Sequence, residues 1–422
     1  MSNNNAINRR NFIKTAAAAT TGFMFIKSGN VFGSEANSAL RIGIIGCGGR
    51  GRADTTALVE NTNSRMVALA DLFSDQLEAA KNYYDGLAAK KGHPSIERRL
   101  MFQGPKAYQE LASCEEVDVV VISSPDYFHI EHLNAAVNAG KHVYCEKPAG
   151  VDVVGCKRFA EIGKKAEGRL SLDVGFQVRD SLPFSGLVKR IHNGDIGKVA
   201  CASTFYHFPG IDYPLRPNAS PLERRIRNFY WDRILSGDVL VDQNIHIIDM
   251  CNWVLNAHPI KAVGTGGRKV RTDASDIWDH WDLVFTYPND VKVSFNSVQF
   301  GKKFNDVGTR FFGDQGVGEA YYSGKARIVS DKPWDLQTWL KEQGSLTSGE
   351  FKGLGNATGI KVKAFVESIR SGNYHNQSAE GVESALSAIL GRMAAYSGRE
   401  ISWYEMMDSN QSYQGEIDWS KL

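Results

Sequence analysis

Along the first third of the chain, short apolar runs alternate with longer amphipathic stretches. The runs Leu40 to Ile45, Arg65 to Ala70, Val117 to Ser123 and His142 to Cys145 have strand length and end in turn residues, which predicts buried strands. Helical periodicity occupies Ala53 to Asn61, Ser74 to Lys90, Ala107 to Ala112, His129 to Ala139 and Val154 to Ala166. Strand and helix in alternation predict a doubly wound parallel sheet of Rossmann type, in a first domain over residues 39–165. After that the pattern changes. A short strand precedes Gly175, a helix covers Phe184 to Asn193, and a meander follows: Val199 to Phe208, Lys261 to Gly266, Trp278 to Tyr287, Val291 to Phe300, Gly308 to Gly313 and Gly318 to Tyr322. Asn289-Asp290 reads as a hairpin turn. The meander predicts a second domain, residues 166–403, built on a large, mostly antiparallel open sheet. Helices at Ile360 to Ser371 and Ala379 to Ser397 follow, and residues 404–422 read as a polar tail or an arm for a partner chain.

The first strand runs into a glycine cluster. Gly46, Gly48 and Gly51 fit G-x-G-x-x-G, and glycine is needed at each for a separate reason. The first makes a tight turn, the second leaves room for a pyrophosphate, and the third lets the next helix pack closely. The pyrophosphate would meet free N–H groups at the helix N-terminus. The second strand ends in Asp71, twenty residues after Gly51, where a carboxylate binds a ribose 2′-hydroxyl. A carboxylate there repels a 2′-phosphate, and Leu72 and Phe73 supply no cation, so the predicted cofactor is NAD rather than NADP.

Composition is that of a globular protein, 42% hydrophobic and 23% charged, with no apolar run of membrane-spanning length. The formal charge of +2 comes from the N-terminus, where Arg9, Arg10, Lys14 and Lys27 face only Glu35, so nucleic acid is not expected as a partner. Asn8-Arg9-Arg10-Asn11-Phe12-Ile13-Lys14 resembles a twin-arginine motif. With the Ala- and Thr-rich stretch after it, residues 1–38 read as a signal for export of the folded protein to the periplasm by the twin-arginine machinery. The six cysteines show no C-x-x-C pair and no metal-ligand spacing; they read as small buried residues, and no metal is expected.

Three further stretches carry chemistry. Ser123-Ser124-Pro125-Asp126 closes one strand, and His129 opens the next helix. Glu146-Lys147-Pro148 closes another strand, where an ammonium can hold a substrate oxygen. In Ser236 to Asp249, read as one helix, Asp242, His246 and Asp249 share a face, with carboxylates one turn either side of an imidazole.

In order and spacing, the glycine turn, Asp71, the Ser-Pro-Asp turn and Glu146-Lys147-Pro148 resemble the glucose-fructose oxidoreductase, inositol dehydrogenase and rhizopine-catabolism family, from about Leu40 to Trp403. The resemblance implies that Lys147 lies beside nicotinamide and substrate. It also implies that Asp242 and His246, matching the family's Asp-x-x-x-His, bind substrate and accept its proton. Cofactor contacts are then expected from Gly46, Gly48, Gly49, Arg50, Gly51, Asp71, Ser124, Pro125, His129, Glu146, Lys147 and Gln177. The family's second sheet commonly joins subunits by its open face, so a homo-oligomer is expected.

The chain departs from the family in having Asp238 where many members have glycine, and Gln243-Asn244 after Asp242. Arg224 to Trp231, aromatic and basic, reads equally as a saccharide platform or as a packing helix. The expected activity is hydride transfer between a secondary alcohol of a carbohydrate or polyol and tightly held NAD. Two alternatives stand beside it: an oxidation-elimination glycosidase using Tyr206 or His207 as an extra base, and a non-catalytic dinucleotide-binding protein.

Overall fold

β1 (Leu40–Ile45) lies inside a parallel sheet because its apolar side chains find cover on both faces. The computed structural model describes residues 38–345 and 352–422. Arg9, Arg10 and the rest of the stretch to residue 37, which the sequence reading expects to be an export signal, lie outside the described residues. β2 (Ser64–Asp71) and β3 (Met101–Gln103) flank β1 on one side; β4 (Val119–Ile122), β5 (His142–Cys145) and β6 (Leu172–Val174) flank it on the other, in the order 3-2-1-4-5-6. β6 lies beyond residue 165, so the parallel sheet extends past the boundary read from the pattern. Side chains alternate across the sheet: Ile42, Ile44, Val119 and Val121 pack with Leu58 and Tyr84, whereas Ile45, Val120 and Ile122 pack with Leu133 and Phe159. The first of these faces is closed from far along the chain by Val362, Phe365 and Val366 of the helix Ala357–Ser371.

The second sheet has nine strands: β7 (Val199–Phe208), β8 (Lys261–Gly267), β9 (His280–Thr286), β10 (Lys292–Gln299), β11 (Asp306–Gly313), β12 (Gly316–Tyr321), β13 (Ala326–Ser330), β14 (Trp334–Asp335) and β15 (Ile401–Ser402). Their spatial order is 14-13-12-11-7-10-9-8-15. β7 and β10 pair in parallel and the other neighbours antiparallel, so the sheet is mixed but mostly antiparallel. Asn289 and Asp290 both take positive φ, 60° and 62°, in the β9–β10 turn, which suits these residue types.

The expected single helix from Ser236 to Asp249 is two, Val239–Asp242 and Ile245–Leu255. The Asn244 N–H reaches back to Val239 O (2.9 Å), one residue further than a helix allows, and the register slips. Asp238 precedes the break at φ 73°, a conformation glycine enters freely.

Asp238 is wholly buried and accepts hydrogen bonds from the Val239 N–H and the Tyr396 hydroxyl, yet burial raises its carboxyl to about 6. Between about pH 4 and 6 the folded chain therefore keeps a proton that the unfolded chain loses, so this residue's contribution to stability falls as pH rises through that window. Asp238→Asn is expected to remove that slope. Relative to wild type, the variant should gain about 3 kcal/mol between pH 4 and 7, read from urea midpoints at each pH.

Residues 404–422 are not a free tail: a helix, Trp403–Asp408, leads the segment back over the first domain, where the Gly415 N–H donates to the Tyr127 hydroxyl (3.1 Å). All six cysteines are free thiols; Cys201 is exposed and Cys114 half-buried, because they sit at the edges of their apolar runs. No described helix is long and apolar enough to cross a membrane.

Candidate active site

The turn after β1 distributes its glycines as the chemistry requires. Gly46 has φ 92°, and a Cβ there would lie 2.5 Å from Ser123 O. A Cβ on Gly51 would lie 2.4 Å from Gly46 O and 2.6 Å from Ile44 Cδ1, so only glycine lets the helix approach the strand. A Cβ on Gly48 or Gly49 would meet no atom beyond its chain neighbours within 4 Å. The helix Gly49–Asn61 starts at this open space with no side-chain cap and no acid in its first turn, which leaves N–H groups for an anion. Asp71 stands at the end of β2, accepting from the Cys47 N–H (2.7 Å) and the Phe73 N–H (3.0 Å), while burial draws its carboxyl upward. Gly46, Gly48, Gly49, Asp71, Ser124 and Pro125 line one cavity of about 690 Å³. Its glycine cradle, bare helix end and terminal carboxylate fit an NAD-type dinucleotide.

Two expectations change here. A cation does reach the Asp71 end: Arg227, from the second domain, lies over the Phe73 ring at 3.7 Å. It is neutralised by Asp75 and Glu223, both at 2.7 Å, so it adds no net positive charge for a 2′-phosphate. His129 is fully buried and is not a cofactor contact. Its ring nitrogens lie 2.9 Å from Ser124 O and from Pro148 O, tying one strand-end turn to the other. The histidine on the cavity is His132, bonded to Ser124 Oγ at 2.8 Å and lowered by burial to about 3, hence neutral.

Lys147 projects from the turn after β5 toward the second domain. Its Nζ donates to Asp242 O (2.5 Å) and to Asp242 Oδ1 (3.2 Å), which holds the ammonium in place from the helix Val239–Asp242. Burial pulls its pKa down, but Asp242, Asp126 and Glu146 outweigh this and keep it charged. Asp126 is buried, and burial with the neighbouring Asp242 pushes its carboxyl well above the ordinary range; its Oδ2 has no partner within the protein. His246 lies in the first turn of the helix Ile245–Leu255, edge-on to Phe176 at 6.0 Å. Burial, then Lys147 and Arg50, hold its imidazole well below the ordinary value. The His246 Nδ1 and the Gln177 Oε1 also lack partners within the protein. Arg50 and Glu146 are committed to each other (2.8 Å), and the Glu146 carboxylate fills the space that a side chain at Gly175 would take.

A family model described as an oxidoreductase family with an NAD-binding Rossmann fold matches residues 40–174. A second, described as the GFO/IDH/MocA C-terminal domain, matches residues 184–319. The chain belongs to the GFO/IDH/MocA oxidoreductases. Inositol 2-dehydrogenase from Rhizobium meliloti is 25% identical over 241 residues, 57% of this chain and 62% of that protein. Myo-inositol 2-dehydrogenase from Thermotoga maritima is 26% identical over 369 residues, 86% of this chain and 97% of that one. The structure of a levoglucosan dehydrogenase, in complex with NADH and levoglucosan, has the same fold, with a TM-score of 0.68 at 18% identity over 86% of this chain and 99% of that one. The chain is therefore an NAD-binding oxidoreductase of this family.

Within that framework the site brings Lys147, Asp242 and His246 together and leaves Asp249 out. Asp249, in the same unbroken helix as His246, is taken up instead by a two-pronged pair with Arg179 (2.7 and 2.8 Å) and a bond from Ser384 Oγ (2.7 Å). Asp249 therefore does not orient His246. On β7 the alternation separates Tyr206 from His207: Tyr206 faces Asp242, whereas His207 stacks on Phe205 on the sheet's open face. Arg224 to Trp231 is both a helix and a wall. Arg227 and Phe229 line the nucleotide cavity, and the Tyr230 hydroxyl donates to Gln299 Oε1 (3.4 Å), while Gln299 Nε2 donates to Gln243 Oε1 (2.7 Å). Asp126, absent from the expected site, was visible as the acid following Ser124-Pro125 at a strand's carboxyl end.

Proposed function

We propose that this chain oxidises a secondary alcohol of a sugar, glycoside or polyol, with His246 as general base and Lys147 and Asp242 binding the reacting hydroxyl. The observation that carries the reading is the Lys147 ammonium, fixed on Asp242 beside a neutral, buried His246. Bound NAD supplies the acceptor for the hydride. An imidazole kept neutral takes the hydroxyl proton as the hydride leaves the same carbon, and the ammonium, with an N–H left to donate, holds the oxygen as it becomes a carbonyl. Asp126, whose carboxyl is pushed up by burial and by Asp242, and Gln177 each have an oxygen with no partner in the protein, polar atoms suited to a polyhydroxylated ring. Against the glycosidase alternative stand His207, which faces away, and Tyr206, whose phenol burial pushes up, making it a poor base.

The test is a panel of sugars, glycosides and cyclitols added to purified protein, with NADH absorbance followed. Reduction by at least one member is expected, and aglycone release without net reduction would favour the glycosidase. We further propose twin-arginine export of the folded, NAD-loaded protein; changing Arg9 and Arg10 to Lys is expected to leave it in the cytoplasmic fraction, and unchanged periplasmic protein would refute this. The stacked Phe205, His207 and Phe304 and the exposed Val263 and Val329 support self-association through the second sheet's open face.

A further inference from the structure

The last residues of the chain run across the nucleotide cavity. The Val154 N–H donates to Gln411 O (3.2 Å), and the Tyr413 N–H to Asp152 Oδ2 (2.6 Å), so the segment starts against the first domain. Gly415 then touches both domains: its N–H donates to the Tyr127 hydroxyl, and its carbonyl accepts from Arg225 Nη1 (2.5 Å). Close to the end, Ser220 Oγ donates to Lys421 O (3.2 Å), on the second domain. The segment thus bridges the cleft, and it carries one large aromatic side chain to the cavity wall. Trp419 lies 5.8 Å from the Phe128 ring and lines the same cavity as Gly48 and Asp71, with Arg227 and Phe229 beside it.

Trp419 remains 37% exposed, an unusual placement for an indole in a polar segment whose backbone already anchors it. A nicotinamide dinucleotide has two flat heterocyclic rings, and an indole at the wall of its cavity is well suited to cover a face of one of them. We propose that residues 411–422 form a clasp over the bound dinucleotide, with Trp419 as a cofactor-binding residue that slows its release. This rests on the dinucleotide reading of the cavity and gives a physical basis for a cofactor retained through export.

The test uses the full-length protein stripped of nucleotide, Trp419→Ala, Trp419→Phe and a chain ending at Asn410. NADH binding is measured by calorimetry, release by displacement with excess NAD, and folding by thermal melting without nucleotide. Trp419→Ala is expected to weaken NADH binding at least tenfold, mainly by faster release, with an unchanged melting temperature; Trp419→Phe should restore most of the affinity. Affinity within twofold of wild type in Trp419→Ala would overturn the proposal, as would weakening in the shortened chain alone, because the segment would then only brace the domains. Wild-type protein that binds no NADH would instead overturn the cavity reading on which the clasp depends.

Discussion

His246→Ala is expected to lower kcat by about 10²- to 10⁴-fold, the range for a general base, while NAD stays bound. The Lys147–Asp242 contacts hold without His246, so the substrate hydroxyl keeps its ammonium partner but loses its proton acceptor. The pH profile supplies a second reading. His246 is held well below its usual value, chiefly by burial and then by the Lys147 and Arg50 charges, so the wild-type base is already in its working form at neutral pH. The acid limb of kcat/KM is therefore expected below the ordinary histidine pKa of about 6.5, and in His246→Ala that limb should vanish. A variant retaining wild-type kcat would remove His246 from the reaction.

Two glycines of the same turn, Gly46 and Gly48, are expected to fail in opposite ways. At Gly46, a methyl group would meet the Ser123 carbonyl at 2.5 Å from a left-handed backbone, and no flexible side chain is there to yield. Gly46→Ala should cost roughly 3 kcal/mol of stability, adding left-handed strain to overpacking, and should lose nucleotide because the turn itself shifts. Gly48 has φ −70° and open space around it, so Gly48→Val should fold with the melting temperature of the stripped wild type. Its isopropyl group would stand where the pyrophosphate approaches, and NADH titration should show binding weakened by about 100-fold or more, on the order of 3 kcal/mol. If both variants bind NADH normally, the cradle is not a dinucleotide site.

The parallel sheet was legible because its signal is local. β1 and β5 follow from apolar runs bounded by turns, and Gly46, Gly48 and Gly51 each carry a steric requirement visible in the motif. β3 was not legible, since three residues hold too little pattern to separate from a loop. The helix carrying His246 differs from its expectation for another reason. Helical spacing aligns Asp242, His246 and Asp249 only if the register is unbroken, and the hydrogen bond from Asn244 to Val239 that breaks it has no signature in apolar periodicity. Arg227 and Trp419 were beyond reach because each meets the cavity through contacts between segments far apart in the chain.

The helix Ala357–Ser371 closes one face of a sheet whose last strand ends at Val174. During synthesis, the part of that face covered by this helix waits until about 197 further residues have been made, roughly ten to forty seconds later at about 5–20 residues per second. A fragment ending near Val174 would keep Leu58 and Tyr84 over Ile42 and Ile44 but would lose the Phe365 ring that packs edge-on against Tyr144 at 6.0 Å, and is expected to be less stable than the whole chain. The late helix thus ties the stability of the nucleotide-binding sheet to a segment far along the chain, and cofactor loading is expected to be complete only once that helix has docked.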